Sequence, residues 1–187
     1  MNVSVNVNPS AGAALGLTDG VALQNRALHL ERQGDLAGAE QAFLEAIRLK
    51  DAGVGPGHVT TAVSCNGLGE LYLKMGRLDQ AEHYLNRALR VRVSNGPAAD
   101  LAVTRDNLGR LYEMKGDLKA AREIREQGAP DNISCGHYDC PRISNSLSNL
   151  SRCAACKAIL YCSRSCQMAD WKRHKKYCTR VAAPATA

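Results

Sequence analysis

The sequence predicts a mainly α-helical protein that consists of three repeated helix pairs and a small cysteine-rich domain. The first observation is a pattern of asparagine, glycine and apolar residues that recurs three times between Asp19 and Gln127. The second is that seven of the eight cysteines fall within the single stretch from Cys135 to Cys178. Helical spacing of apolar residues in the first part and paired cysteines in the second predict two different kinds of fold.

Each repeat is predicted to be a helix, a turn centred on glycine, and a second helix. The turn glycines are Gly34, Gly76 and Gly116. A glycine at this point ends the first helix at little cost because it adopts positive φ. In the second repeat Gly69 is small where the two helices approach closely, and Leu68 and Tyr72 are predicted to fill the seam between them. Cys65 is predicted to be a small buried residue of the same seam.

The turn glycines are 42 and then 40 residues apart, whereas the commonest helical repeat of this kind has about 34 residues. The surplus falls in the loops Ala52–His58 and Ser94–Asp100, each of which contains a helix-breaking Gly-Pro. The pattern resembles the tetratricopeptide repeat, and its longer spacing is similar to that of kinesin light chains. The resemblance implies a helical solenoid of three helix pairs over residues 19–128, with a peptide-binding concave surface lined by the first helices.

Three asparagines, Asn25, Asn66 and Asn107, occupy nearly equivalent points of those first helices. A side-chain amide donates and accepts hydrogen bonds at once, so we predict that the three contact the backbone of an extended peptide. The alternative is that they are helix-surface or capping residues without a ligand, and the sequence leaves both interpretations open.

The cysteine-rich stretch contains eight candidate ligands in four pairs, separated by four, two, three and three residues. They are Cys135, Cys140, Cys153, Cys156, Cys162, Cys166, His174 and Cys178. Short paired spacings of this kind suit tetrahedral zinc, and eight ligands complete two closed sites with no position for a catalytic water. Disulfides are the weaker interpretation because the cysteines in this stretch are odd in number, no secretory signal is expected before them and a histidine completes the last pair.

The residues between the ligands carry a second resemblance. The matching segments are Cys153-Ala-Ala-Cys156, Tyr161-Cys162-Ser163, Cys166-Gln167, Asp170-Trp171, His174-Lys175 and Cys178. Together they resemble the MYND zinc finger, over residues 135–178. The resemblance implies interleaved, cross-braced ligation of two Zn²⁺ ions: Cys135, Cys140, Cys162 and Cys166 at one, and Cys153, Cys156, His174 and Cys178 at the other. MYND fingers recognise proline-containing peptides, and the matching positions make Gln167 and Trp171 predicted peptide contacts.

The first knuckle departs from the family pattern, because Cys135 and Cys140 are separated by four residues instead of two. His137 would restore the tighter spacing to Cys140 and leave Cys135 free. We favour Cys135, since a looser knuckle is a tolerable variant, but the spacing alone leaves both assignments open.

The net charge of +6 is concentrated in the finger. Residues 1–130 contain 15 basic and 15 acidic side chains, whereas residues 131–187 contain 9 and 3. Seven zinc-bound thiolates and two Zn²⁺ ions would together add about −3, which halves that excess. The remaining basic cluster comprises Lys172, Arg173, Lys175 and Lys176. It is either a solvated helix face or a contact for an acidic partner.

The segments outside the two domains are predicted from their composition. Residues 1–18 are small, polar and uncharged and are predicted to be disordered. Residues 129–134 are predicted to be a linker, and residues 179–187 a disordered tail. No run of 18 apolar residues is present, so we expect no membrane span. Zinc-bound thiolates indicate a reducing compartment, either the cytoplasm or the nucleus.

These features predict a monomeric intracellular adaptor that binds protein partners through short linear peptides and has no catalytic residues. The repeats would hold a peptide in their groove, and the finger would hold a proline-containing motif. One alternative is a relative or fragment of a MYND-containing protein lysine methyltransferase that lacks the SET domain. The other is a weak nucleic-acid-binding finger, which would depend on the basic cluster alone.

Overall fold

The computed structural model describes residues 9–142 and 144–179. The helices of the repeats are α1 (Pro9–Gln33), α2 (Leu36–Val54), α3 (Val59–Met75), α4 (Leu78–Asn95), α5 (Ala98–Lys115) and α6 (Leu118–Glu126). The finger contains β1 (Ser151–Arg152), β2 (Leu160–Tyr161) and α7 (Arg164–His174). The predicted fold class, mainly α with three helix pairs followed by a cysteine-rich finger, is confirmed. Among the described residues, no helix combines the length and apolar character that crossing a membrane requires.

The turns within the helix pairs follow the prediction. Gly34, Gly76 and Gly116 have φ values of 86°, 72° and 83°, a left-handed conformation that ends the first helix of each pair. In the first and third pairs an aspartate comes next. The carboxylates of Asp35 and Asp117 each accept a hydrogen bond of 2.8 Å from a backbone N–H in the first turn of the following helix. This capping explains why the second helix begins at once.

The chain divides into two compact units, and the boundary between Val91 and Arg92 lies inside α4. The first unit is built by close helix packing at small residues. A β-carbon at Gly67 would lie 2.8 Å from the ring of Phe43, so α3 lies directly against α2. A β-carbon at Gly69 would lie 2.6 Å from Leu85 Cγ, so α4 packs on α3 in the same way. Leu68, Tyr72 and Cys65 are buried in this seam, as the repeat pattern predicts.

The first helix is longer than the sequence predicts. Residues 1–18 are predicted to be disordered, but α1 begins at Pro9, while residues 1–8 lie outside the described residues. Proline suits the first turn of a helix because its missing N–H needs no partner there. A β-carbon at Gly16 would lie 3.0 Å from the carbonyl oxygen of Leu49. Packing against α2 therefore orders this segment, whose sequence by itself offers few helix-stabilising contacts. Of the predicted tail, residues 180–187 also lie outside the described part.

The second unit joins the third helix pair to the finger. One apolar cluster contains Ala121 of α6 together with the finger residues Cys135, Cys153, Cys156, Ala158, Ile159 and Tyr161. Residues 129–134, predicted to be a linker, include the buried Ile133, whose backbone pairs with that of Asn145. This segment therefore connects two parts that share a single core.

Candidate metal centres and the exposed face of the finger helix

The first candidate metal centre contains only cysteines. Cys135 and Cys140 lie in the loop that enters the finger, Cys162 follows β2, and Cys166 lies in the first turn of α7. The sulfur of Cys162 lies 3.6 Å from those of both Cys140 and Cys166, and all four sulfurs lie within 4.8 Å of one another. Sulfurs held by a tetrahedral zinc at 2.3 Å are about 3.8 Å apart. The arrangement therefore fits zinc.

The structure places Cys135, and not His137, beside the other three cysteines of this centre. The four-residue cluster contains Cys135 and not His137. The backbone N–H of Gly136 donates to Leu160 O at 2.7 Å, and a β-carbon there would lie 2.4 Å from the side chain of Ile159. This close packing on β2 positions the Cys135 sulfur, which accepts a hydrogen bond of 3.5 Å from the backbone N–H of Cys162. These contacts favour the assignment of Cys135 to this centre.

The second centre contains three cysteines and a histidine. Cys153 and Cys156 lie between β1 and β2, His174 ends α7, and Cys178 follows it. The sulfurs of Cys153 and Cys178 are 3.7 Å apart, and the Cys156 sulfur lies 3.4 Å from His174 Nε2. A tetrahedral zinc brings sulfur and nitrogen ligands to about 3.5 Å of each other. His174 therefore presents Nε2 to the metal.

The two centres are interleaved along the chain, as the MYND resemblance implies. Each centre has four protein ligands, so both fit a structural zinc ion and the chain holds two zinc sites. Ligands come from both ends of α7, and from the chain both before and after β2. The zinc ions therefore supply much of the cross-linking in a finger that is too small for a large apolar core.

A buried ionic network surrounds the second centre, and the sequence does not predict it. Glu113 of α5 is fully buried, and its Oε2 lies 3.4 Å from His174 Nδ1. Arg173 donates to the same oxygen at 2.9 Å. Arg125 Nη2 lies 2.7 Å from the other carboxylate oxygen. Burial raises the pKa of Glu113, but Arg125, His174 and Arg173 together lower it further, so its pKa lies well below the usual range and the carboxylate is ionised.

Arg125 of α6 connects this network to the finger. Its Nε donates to Asp106 of α5 at 2.8 Å, and its Nη1 donates to the backbone carbonyl of Ala158 at 2.8 Å. The sequence carries a signal for this role, because Arg125 follows its turn glycine by nine residues, as Phe43 and Leu85 follow theirs. An arginine at a position that is apolar in the other two repeats indicates a buried charge with partners.

The inner face of α7 is held by a second group of polar contacts. The hydroxyl of Tyr161 on β2 donates to Asp170 at 2.8 Å, and Arg173 donates to both oxygens of Asp170 at 2.7 Å. Burial, together with the neighbouring Asp170, raises the pKa of Tyr161, so the hydroxyl remains protonated. Arg173 is thus an internal residue of the network. Lys172, Lys175 and Lys176 are the exposed members of the predicted basic cluster.

The outer face of α7 presents the two predicted peptide contacts of the finger. Arg164, Gln167, Met168 and Trp171 line an open cavity of about 370 Å³. Trp171 is 44% exposed and Met168 is 68% exposed. The Trp171 ring meets the His174 ring nearly edge to face, with centroids 5.9 Å apart. We call these four residues the α7 outer face.

The three asparagines of the repeats do not share one environment. Asn25 is exposed, whereas Asn66 and Asn107 retain only 6% and 2% of their exposure. The Asn66 amide donates to Glu70 of its own helix at 2.9 Å. A peptide contact is therefore directly accessible at Asn25 only, and for the three residues together it stays a prediction.

Comparison with known proteins agrees with this architecture. The sequence profile of the family described as tetratricopeptide repeat matches residues 20–94 and 66–129, and that of the MYND finger matches residues 134–178. The chain therefore belongs to the tetratricopeptide-repeat proteins and carries a MYND finger after its repeats. Both domain types are protein-interaction modules.

Individual relatives share parts of the chain. The Zinc finger MYND domain-containing protein 10 homolog of Drosophila melanogaster is 33% identical over 50% of this chain and 19% of its own length. SET domain-containing protein 14 of Caenorhabditis elegans is 43% identical over 22% of this chain and 10% of its own length. The chain thus spans between a tenth and a fifth of the length of these relatives.

A solved structure supports the repeat fold. The crystal structure of BtubC (BKLC) from P. vanneervenii matches with a TM-score of 0.56 and 27% identity, over 58% of this chain and 44% of that one.

Proposed function

We propose that this protein is an adaptor that binds short linear peptides, with the α7 outer face as the site for a proline-containing motif. Two residues of that face, Met168 and Trp171, are large apolar side chains exposed side by side. The zinc ligands Cys166 and His174 belong to the same helix, but their side chains lie in the metal centres and do not line this cavity. The metal centres therefore hold the helix in place without occupying the surface that it offers to a partner.

The chemistry of this face favours an extended proline-rich ligand. An exposed indole gives a flat apolar surface on which a proline ring can pack, and a polyproline segment is already extended before it binds. Gln167 is partly exposed beside the indole, and its amide can both donate to and accept from a peptide backbone. Binding is proposed to occur without catalysis, because both metal centres have all four of their positions filled by protein side chains.

Fluorescence of Trp171 provides a direct test, because it is the only tryptophan of the chain. Proline-containing peptides titrated into the zinc-loaded, 187-residue protein should change the emission of Trp171. Gln167→Ala should retain both zinc ions and weaken binding several-fold, as the loss of one or two hydrogen bonds worth about 0.5–1.5 kcal/mol each would do. Gln33→Ala changes an exposed glutamine at the end of α1 and should leave binding unchanged. Equal binding by both variants would contradict the proposal.

A second surface is proposed on α1. Val21, Asn25 and Leu28 are all exposed and lie on one face of this helix, because they are separated by four and three residues. An amide between two apolar side chains suits an extended peptide, whose backbone needs hydrogen bonds and whose side chains need apolar contact. Asn25→Ala should weaken partner capture by the repeats without a change in melting temperature, and a lower melting temperature with normal capture would make Asn25 structural.

The proposed cellular location is the cytoplasm or the nucleus, where thiolates remain available for zinc, and the proposed state is a monomer. Sedimentation of the zinc-loaded protein tests whether it is a monomer, and a mass twice that of the 20.1 kDa chain would contradict this.

A further inference from the structure

The second metal centre has a neighbour outside the finger. Glu113 belongs to α5, the first helix of the third helix pair, and is 61 positions before His174 in the chain. Both side chains are completely buried. Because His174 Nε2 lies among the cysteine sulfurs, the ring nitrogen that faces Glu113 is Nδ1.

We propose that Glu113 is an outer-sphere residue of the second zinc site, which therefore extends from the finger into the third helix pair. Its carboxylate accepts the Nδ1 proton of His174 and so holds the tautomer in which Nε2 is free to bind zinc. A carboxylate in this position orients the imidazole ring and makes it a stronger ligand, and loss of such a partner typically costs 10- to 100-fold in metal affinity.

The surroundings of Glu113 support this role. Arg173 and Arg125 contact its two oxygens from α7 and α6, so the carboxylate is fixed from both sides. Arg125 reaches farther, to the carbonyl of Ala158 in the turn that also holds Cys156. The guanidinium fits because residue 109 is glycine, where a β-carbon would lie 2.5 Å from Arg125 Nε. The third helix pair thus supplies both the carboxylate and the cation that holds it.

Zinc binding and the docking of the third helix pair are thermodynamically linked. If the docked α5–α6 pair strengthens the binding of zinc, then zinc must strengthen the docking of the pair by the same free energy. The third repeat is then a metal-dependent element, although it contains none of the eight zinc ligands.

Zinc competition in the 187-residue protein tests the proposal. Glu113→Gln keeps the size of the side chain but replaces the carboxylate with an amide, which binds Nδ1–H more weakly. The variant should release one of its two zinc ions to a chromogenic chelator at 10- to 100-fold lower chelator concentration, and the other as in the parent protein. The matched control is Glu126→Gln, which removes a carboxylate of α6 that contacts the finger through Arg152 but does not touch His174. It should bind both ions normally.

Nuclear magnetic resonance of the imidazole nitrogens adds a measurement that needs no variant. In the zinc-loaded parent protein, His174 should carry its proton on Nδ1 and bind metal through Nε2, and this proton should exchange slowly because it is buried and hydrogen-bonded. In Glu113→Gln the same proton should exchange faster. Metal on Nδ1, unchanged zinc affinity in Glu113→Gln, or equal weakening of both ions would each overturn the proposal.

Discussion

Arg125 occupies the position in the third helix pair that Leu85 occupies in the second, and each side chain fills the space above a glycine of the preceding helix. A β-carbon at Gly69 would lie 2.6 Å from Leu85, and one at Gly109 would lie 2.5 Å from Arg125. The same close helix contact is therefore used in two ways. In the second pair it buries an apolar side chain, whereas in the third it buries a cation that binds Asp106, Glu113 and the finger backbone.

The first prediction concerns this substitution of charge for apolar packing. Arg125→Leu restores the residue of the second pair, but it removes the hydrogen-bond donor to one oxygen of Asp106 and to the carbonyl of Ala158. It also removes one ion-pair partner of Glu113. Removal of one partner from a buried ionic pair typically costs about 3–5 kcal/mol. We therefore expect a lower free energy of unfolding for the second unit, measured in urea by the fluorescence of Trp171.

Arg122→Leu is the matched control for this measurement, because Arg122 lies one turn earlier on the same helix and is partly exposed. A surface change of this kind usually alters stability by less than about 0.5 kcal/mol. Equal stability of the Arg125→Leu and Arg122→Leu variants would mean that the network contributes nothing net to the fold.

The second prediction concerns removal of the metal. Elemental analysis should find two zinc ions per chain, since both four-ligand sets are complete. Chelation should raise amide hydrogen exchange in α7 and also in α5 and α6, because these helices share a core and an ionic network with the finger. Exchange in α2 and α3, which belong to the first unit, should change less. Protection of α5 and α6 that persists without metal would show that the third pair is stable by itself.

The zinc ligands could be predicted from sequence because their pairing is local. Cys153 and Cys156 are adjacent in space simply because two residues separate them, and the turn glycines are recognisable for the same reason. Glu113 could not be predicted, since its contact with His174 spans 61 positions and depends on how α5 packs. Local patterns specify local geometry, whereas a buried ion pair between distant elements follows from tertiary packing.

Two other differences between the sequence predictions and the structure also follow from tertiary packing. In the sequence, Asn25, Asn66 and Asn107 occupy nearly equivalent positions of the three repeats, but in the structure the last two are buried. Equivalent positions in a repeat thus differ in exposure, because different neighbours cover them. The start of α1 at Pro9 likewise depends on contact of Gly16 with α2, which composition alone does not reveal.

The third prediction is a pH dependence in the first unit. Lys50 is buried, and its ammonium group donates to Gln24 and Ser64 at 2.7 and 2.8 Å and to the carbonyl of Thr60 at 3.2 Å, all of them uncharged. Burial lowers the pKa of Lys50 from 10.5 to about 8. The unfolded chain therefore binds this proton more tightly than the folded chain. Stability should rise with pH between about 8 and 10.5, by at most about 1.4 kcal/mol per pH unit.

Lys50→Met removes the titrating group and keeps an unbranched side chain of similar length. Thermal unfolding is followed by circular dichroism at several pH values. The melting temperature should rise less with pH in this variant than in the parent protein. Parallel curves for the two proteins over that pH range would rule out Lys50 as the source of the dependence.

The last prediction separates the basic residues at the end of α7 by their surroundings. Arg173 is paired with Asp170 and Glu113, whereas Lys175, two positions later, is exposed. Each substitution, Arg173→Gln and Lys175→Gln, removes one positive charge. Arg173→Gln should lower the free energy of unfolding by about 1–3 kcal/mol, because two buried carboxylates lose a donor, and Lys175→Gln should leave it nearly unchanged. Urea unfolding of both variants, followed by Trp171 fluorescence, provides the comparison.

The same pair of variants also tests the nucleic-acid alternative. If α7 bound nucleic acid through its exposed charge, Lys175→Gln should weaken that binding and reduce its salt dependence, since each phosphate contact contributes to the slope. An adaptor that recognises peptides through the α7 outer face should instead retain peptide affinity in Lys175→Gln at moderate salt, because that lysine does not line the cavity beside Trp171. Titration of one peptide and one DNA duplex into the parent protein and the Lys175→Gln variant distinguishes the peptide-binding interpretation from the nucleic-acid-binding one. Loss of peptide binding in Lys175→Gln would show that charge, and not the indole surface, carries recognition by the finger.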